Sequence, residues 1–446
     1  MLRRKTLLSI VSLSLLLTLV ISLVPASAQD DKPYAGTTIT FAAQFHASVE
    51  GLKPLISEFE EATGIKVVVD EYPYPDIITA QEVSYSAGNA TFDVGMMDPL
   101  ILGTWFSAGW IEPLDEYMAN EDLTDAALVN IDDFLAKAMI MMHDPSTDQL
   151  MGLPYYAESI ELMYRKDLFE AAGIEPPQTM EELAAAAAAL DDPDNGVVGI
   201  SLRGDRGAGL NVYIFTSFLR AFGGDYFDAD MKPVLDSPEA IEAAAYYGKL
   251  LQDSGFPGPA DIGWEATLTN MQQGNVAMII DATVFGGSLE DPEQSLVAGN
   301  VGYAMVPEGP AGRAPALSAW GMFIPKDSEN KEAAWQFIQW ATSEDIQLRS
   351  ALLGPRSDVT RTSVWQSPEF IEMKSSWGNW SEVTLESLEE SVPEYRPRIP
   401  NWTEVGDRLG VALSEIISGQ RSAEDAMTEA NEDITQLMID AGLYTP

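Results

Sequence analysis

The sequence predicts an α/β protein of two lobes, and three observations carry that expectation. Strand and helix patterns alternate along the first third of the chain, helix signals with clear caps recur through the rest, and the 446 residues exceed what one core supports. In order, Thr38 to Ala43 alternates like a strand, and Val49, Leu52, Leu55, Ile56 and Phe59 repeat at helical spacing until Gly64 closes the helix. Ile65 to Val69 is a β-branched run that reads as a second strand, and Phe92 to Asp98 reads as a third. Strand, helix, strand, helix, strand argues for a mostly parallel sheet covered by helices. Ligands in such sheets sit at the carboxyl ends of strands, which puts Gln44 to His46 and Asp98-Pro99 at a binding edge.

Further along, Thr179-Met180-Glu181-Glu182 is a capping box opening an alanine-rich helix. Ser237-Pro238 supplies an N-cap and a first-turn proline, and Gly255 ends that helix. Ser328 precedes an amphipathic helix containing Trp335, Phe337 and Ile338, and Ser422 precedes the last helix. Val276 to Ile280 is a short buried strand ending in Asp281. Asp191 to Gly196 has the composition of a calcium loop. Proline takes a ligand position there and the closing glutamate is absent, so it reads as a turn.

Residues 1–28 read as an export signal: Arg3, Arg4 and Lys5, then an apolar stretch, then Ala26-Ser27-Ala28 as a cleavage site. Removing it takes the formal charge from −44 to −47, which argues against nucleic acid or anionic lipid as a partner. The chain has no cysteine and two histidines, so disulfides, thiolate or histidine metal centres and lipidation through cysteine are not expected, nor is a cofactor. The expected place of action is the periplasm or the outer face of the cell membrane.

In Gly152-Leu153-Pro154-Tyr155-Tyr156-Ala157-Glu158-Ser159, two aromatic rings precede a carboxylate. Rings cover the C–H faces of a sugar or polyol while a carboxylate accepts from its hydroxyls. Adjacent residues of an extended chain face opposite ways, so at most one of Tyr155 and Tyr156 faces ligand and the other is core.

From Leu55 to Val67, through Gly109 to Asp115, Tyr155 to Phe169, Gln273 to Met278 and Ala333 to Ile338, the chain resembles the extracellular solute-binding proteins of bacterial ABC sugar importers, the maltose-binding-like group. Tyr156 to Ser159, Asp281 to Val284, Trp340 to Ser343 and Arg396-Pro397-Arg398-Ile399-Pro400 are similar to its sorbitol- and mannitol-binding branch, although Ala157 stands where that branch often has glycine. The resemblance implies the two-lobed type II periplasmic binding fold with ligand in the interlobe cleft. It also implies a monomer that catalyses nothing and delivers a sugar or polyol to the transmembrane subunits of an ABC permease. The expected N-terminal lobe is 29–140 with about 283–340, and the C-terminal lobe about 141–282 with 341–446.

On that resemblance Trp264, in a Gly- and Pro-rich loop, and Trp320 are stacking residues. Glu158, Asp98 and Asp281 are hydrogen-bond acceptors, and Gln44 contacts ligand from the end of the first strand. A forked donor comes from Arg356 or Arg361. His46 reads as structural, and Trp402 and Arg398 are weaker candidates. Two alternatives stand beside this reading. A secreted carbohydrate hydrolase would need two positioned carboxylates, and the chain carries no G-x-S-x-G, H-E-x-x-H or phosphate-loop motif. A sensing module would use the same lobe closure without import.

Overall fold

The computed structural model describes residues 32–74, 76–89, 91–354 and 356–446; the expected export signal lies outside them. Its strands are β1 (Thr38–Gln44), β2 (Lys66–Tyr72), β3 (Val94–Met97), β4 (Leu153–Glu158), β5 (Ile160–Arg165), β6 (Val198–Ser201), β7 (Val276–Ala282), β8 (Val301–Ala304) and β9 (Ser318–Phe323). They form a five-stranded sheet of order β2-β1-β3-β9-β4 and a four-stranded sheet of order β6-β7-β5-β8. Helices flank both, giving the expected α/β class.

Local signals explain most elements. Gly64 takes φ 77° to end helix Ile56–Thr63, a left-handed turn that glycine adopts without strain. Pro54 lacks an N–H, and the predicted first helix accordingly breaks there into Ala47–Leu52, a tight turn at Lys53–Leu55, and Ile56–Thr63. Thr179 and Glu182 satisfy each other's backbone N–H groups at 3.2 Å, and Ser237 and Ser422 cap their helices. Ser328 is not the cap of the helix after it. Its hydroxyl donates to Asp93 at 2.7 Å, and the helix Lys331–Ala341 starts from Asn330.

The sheets are mixed, which corrects the expectation of mostly parallel ones. β1 pairs parallel with β2 and β3, and β6 with β7, but β9 is antiparallel to β3 and β4, and β5 to β7 and β8. A parallel neighbour requires a helical crossover on the same sheet, and residues 44–94 supply such crossovers. Later strands arrive differently. Ser159 alone separates β4 from β5, so the chain passes straight from one sheet to the other. This pass is tied to the end of β7 and to the return pass from β8 to β9: Ser159 N–H donates to Thr283 Oγ1 at 3.2 Å, Thr283 N–H to Ser159 O at 2.9 Å, and the Ser159 hydroxyl to Ala316 O at 2.7 Å.

Two apolar cores result. Phe41, Trp105, Phe323, Trp335 and Phe337 belong to the one built on the first sheet, and Phe215, Tyr247, Leu409, Leu413 and Ile434 to the one behind the second. β4 lies in the first sheet and β8 in the second, each across the divisions drawn from sequence near residues 141 and 283. Helix Glu344–Leu353 packs on Ala47–Leu52 beside the first sheet, while Trp402–Ile417 and Ala423–Asp440 pack on Pro238–Ser254 beside the second.

Candidate ligand-binding cleft

The strand ends of the two sheets face one another across a cleft. Gln44 closes β1, Asp98 follows β3, and Glu158 closes β4. β9 runs the other way, so its first residue Ser318 lies opposite Glu158 at the same edge, with Trp320 opposite Tyr156. An aromatic wall stands on this side. Tyr156 is stacked with His46 (4.3 Å, 12°) and with Trp320 (5.4 Å, 20°), and Tyr74 meets Trp320 edge-on at 6.4 Å. The Tyr156 hydroxyl donates to Gln44 Oε1 at 3.2 Å, which fixes both side chains.

The opposite wall carries Trp264, Arg203, Tyr213 and Arg396. Trp264 is the first residue of helix Trp264–Gln272 rather than part of a loop, and its ring lies 6.4 Å from Phe285. Arg203 forks onto Asp281, with Nε 3.0 Å from Oδ2, and donates through Nη1 to Gly209 O at 3.1 Å. Both Arg203 and Arg396 lie with the guanidinium carbon 5.0 Å from the Tyr213 ring centre.

Several polar groups here have no protein partner among the described residues. Asp98 accepts from Leu100 N–H at 2.8 Å through Oδ1, and its buried Oδ2 accepts nothing. The buried Tyr213 hydroxyl is likewise unpartnered. No hydrogen bond or ion pair engages the Glu158 carboxyl or the Arg396 guanidinium. Burial pushes the Asp98 carboxyl up to about 6, against the pull of Arg396, and the Glu158 carboxyl up to about 8, against the pull of Arg203. Aromatic faces with free donors and acceptors between them suit a hydroxylated solute with apolar faces, and no reaction is implied.

Of the predicted site residues, Gln44, Asp98, Tyr156, Glu158, Trp264 and Trp320 converge on this cleft. Tyr155 takes the core position, its hydroxyl donating to Ser48 O at 2.8 Å. Asp281 is fully buried and acts on the cleft only through Arg203. Arg356 and Arg361 do not reach the cleft. Arg356 is fully buried and binds Asp358 at 3.0 Å, Ser350 Oγ at 2.9 Å and the Tyr155 carbonyl. Arg361 donates to the carbonyls of Thr342, Asn130 and Val129 at 2.7–2.8 Å. Of the weaker candidates, Trp402 packs against Tyr226 in the second core and Arg398 pairs with Glu394.

His46, read as structural, also lines the cleft. Tyr74, Arg203, Tyr213, Ser318 and Arg396 line it too and were not predicted. Arg203 ends the apolar run Val197 to Leu202, the same pattern that singled out Asp281, so the strand-end argument was available for it. Arg396 lies in the polyol-like segment, where Arg398 drew the attention instead. Among the described residues no cluster of three or more His, Cys, Asp or Glu is placed to hold a metal, and no helix is long and apolar enough to cross a membrane.

Residues 42–348 match the family model of the bacterial extracellular solute-binding proteins, and the chain belongs to that family. It is 29% identical over 425 residues to a mannitol-binding protein of Pseudomonas aeruginosa, covering 91% of this chain and 94% of the relative. A solute-binding protein of Agrobacterium radiobacter K84, solved with ribitol, superposes with a TM-score of 0.81 at 29% identity, covering 91% of this chain and all of the other. One from Agrobacterium vitis S4, solved with D-mannitol, gives 0.78 at 28% identity over 92% of this chain and all of the other. The protein is therefore an extracytoplasmic solute-binding protein of the two-lobed type II fold. Its relatives are binding proteins rather than enzymes, so the hydrolase alternative falls.

Proposed function

We propose that this chain captures a neutral sugar or polyol, a linear alditol first among them, and presents it to the transmembrane subunits of an ABC importer. The two lobes close on the ligand by bending at the passes through Ser159 and Ala316, and the protein works as a monomer. The observation that carries the reading is the set of unpartnered groups, Asp98 Oδ2, Glu158, Arg396 and the Tyr213 hydroxyl, around one aromatic-walled space. A buried polar group left unsatisfied costs about 1–3 kcal/mol, so two of them, Asp98 Oδ2 and the Tyr213 hydroxyl, beside a free carboxyl and a free guanidinium call for a ligand rich in hydroxyls. A hydroxyl both donates and accepts, and can therefore serve carboxylate and guanidinium alike.

In this reading Gln44, Asp98, Glu158, Arg396 and Tyr213 bind hydroxyls, while Trp264, Trp320 and Tyr156 cover carbon faces. Arg203, held by Asp281, fixes the Tyr213 ring. Relatives named for or solved with mannitol and ribitol support the alditol class. The test is a thermal-shift screen of the mature protein against alditols, monosaccharides, disaccharides and malto-oligomers. Ligands that bind only the folded state raise its melting point. A shift confined to alditols is expected; a shift only with malto-oligomers would overturn the ligand class.

A further inference from the structure

We propose that Gly103, Thr104 and Arg398 are positioning residues that set ligand affinity from outside the cleft, by holding the segment Arg396 to Pro400 across both lobes. The inference rests on the solute-binding reading above and adds residues that touch no ligand.

The segment is rooted on the second core. Val392 N–H donates to Pro315 O at 3.2 Å, Arg220 Nη2 to Glu394 O at 2.9 Å, and buried Tyr395 packs edge-on against Tyr213 at 5.8 Å. Arg396 then turns its guanidinium over Tyr213 into the cleft. Within the next four residues the chain meets the first lobe at three points. Arg398 Nη1 donates to the carbonyls of Ile140, at 3.3 Å, and His143, at the end of a helix that packs on β4 and β9. The Thr104 hydroxyl donates to Pro400 O at 2.6 Å. A Cβ on Gly103 would lie 2.4 Å from Ile399 O, 2.5 Å from Ile399 C and 2.6 Å from Arg398 C.

That last contact is informative because Gly103 lies inside helix Leu102–Ala108. Glycine there costs about 1 kcal/mol relative to alanine. The three nearest atoms a side chain would strike all belong to the opposite lobe's backbone. The glycine suits the contact between lobes, not its own helix. A contact made only when the lobes are together raises the population of the binding-competent state, and apparent affinity follows that population. Because the same five residues carry Arg396, the contact also delivers a ligand donor to its place.

The experiment compares wild type with Gly103→Ala, Thr104→Val and Thr104→Ser by calorimetric titration with D-mannitol and ribitol, and by melting without ligand. Gly103→Ala and Thr104→Val are expected to weaken binding about tenfold with the ligand-free melting temperature unchanged, and Thr104→Ser to retain affinity. Affinity of Gly103→Ala within about twofold of wild type, or a loss that tracks a fall in ligand-free melting, overturns the proposal. If wild type takes up neither alditol, the ligand class fails separately. The lobe contact is then read by cross-linking Thr104→Cys with Pro400→Cys in a chain that has no native cysteine. Slower cross-linking in a Gly103→Ala background supports the contact; an unchanged rate overturns it.

Discussion

Of four buried arginines, three are saturated by protein partners and one is not. Arg356 and Arg361 are fully buried and Arg203 and Arg396 are 7% exposed, so burial hardly separates them. Their partners do. Arg361 spends its donors on three carbonyls from distant segments, and Arg356 binds a carboxylate, a hydroxyl and a carbonyl. Arg203 is likewise held by Asp281 and the Gly209 carbonyl, whereas no described residue hydrogen-bonds or pairs with the Arg396 guanidinium. A saturated buried arginine holds a fold together, whereas an unsaturated one beside a cavity is waiting for a ligand.

The largest expected effect belongs to a saturated arginine. Arg361→Ala strands three carbonyl acceptors, at roughly 1 kcal/mol or more each, so it should lose about 3 kcal/mol of stability in denaturant unfolding. Ligand affinity of the fraction that folds should stay near wild type. Arg396→Gln should do the reverse. It keeps the ligand-free melting point and loses a charge-assisted bond of about 1.5–3 kcal/mol, or roughly 10- to 100-fold in affinity. An Arg396→Gln protein that melts like Arg361→Ala would erase the contrast. Next in size, Trp264→Ala should weaken binding about tenfold by removing one stacked face while the fold stands.

A further effect concerns Glu158, which faces the same cleft without a partner among the described residues. Its carboxyl is pushed up to about 8 by burial, so the folded, ligand-free protein holds that proton more tightly than the unfolded chain. The stability this supplies is full below the ordinary glutamate range and is lost as pH rises toward about 8. The ligand-free melting point should therefore fall between pH 5 and pH 8, and Glu158→Gln should flatten part of that slope. A slope identical in both proteins would remove Glu158 from the cleft's electrostatics.

The legible and illegible parts of the molecule divide along the same line. Strand ends could be read because apolar runs stop at them, and Gln44, Asp98 and Glu158 all reach the cleft for that reason. The alternation of adjacent aromatics limited the cleft to one of Tyr155 and Tyr156, and which of them it is depends on the hydroxyl of Tyr155 reaching Ser48 O. Arginine roles were hidden because they depend on acceptors far away in sequence: Asn130 and Val129 for Arg361, the Tyr155 carbonyl for Arg356. Nothing local distinguishes Arg396 from Arg398, yet one faces the cleft and the other grips the carbonyl of His143. Strand direction was obscured likewise, since a single residue, Ser159, carries the chain from one sheet into the next.

Titration calorimetry of the mature wild-type protein and Arg396→Gln with D-mannitol and ribitol bears most directly on the claim that unpartnered groups in the cleft await hydroxyls. One-to-one binding by wild type, near micromolar or about −8 kcal/mol, with no product formed and a loss of roughly tenfold or more in the variant, is the predicted result. Equal binding by both proteins would contradict it.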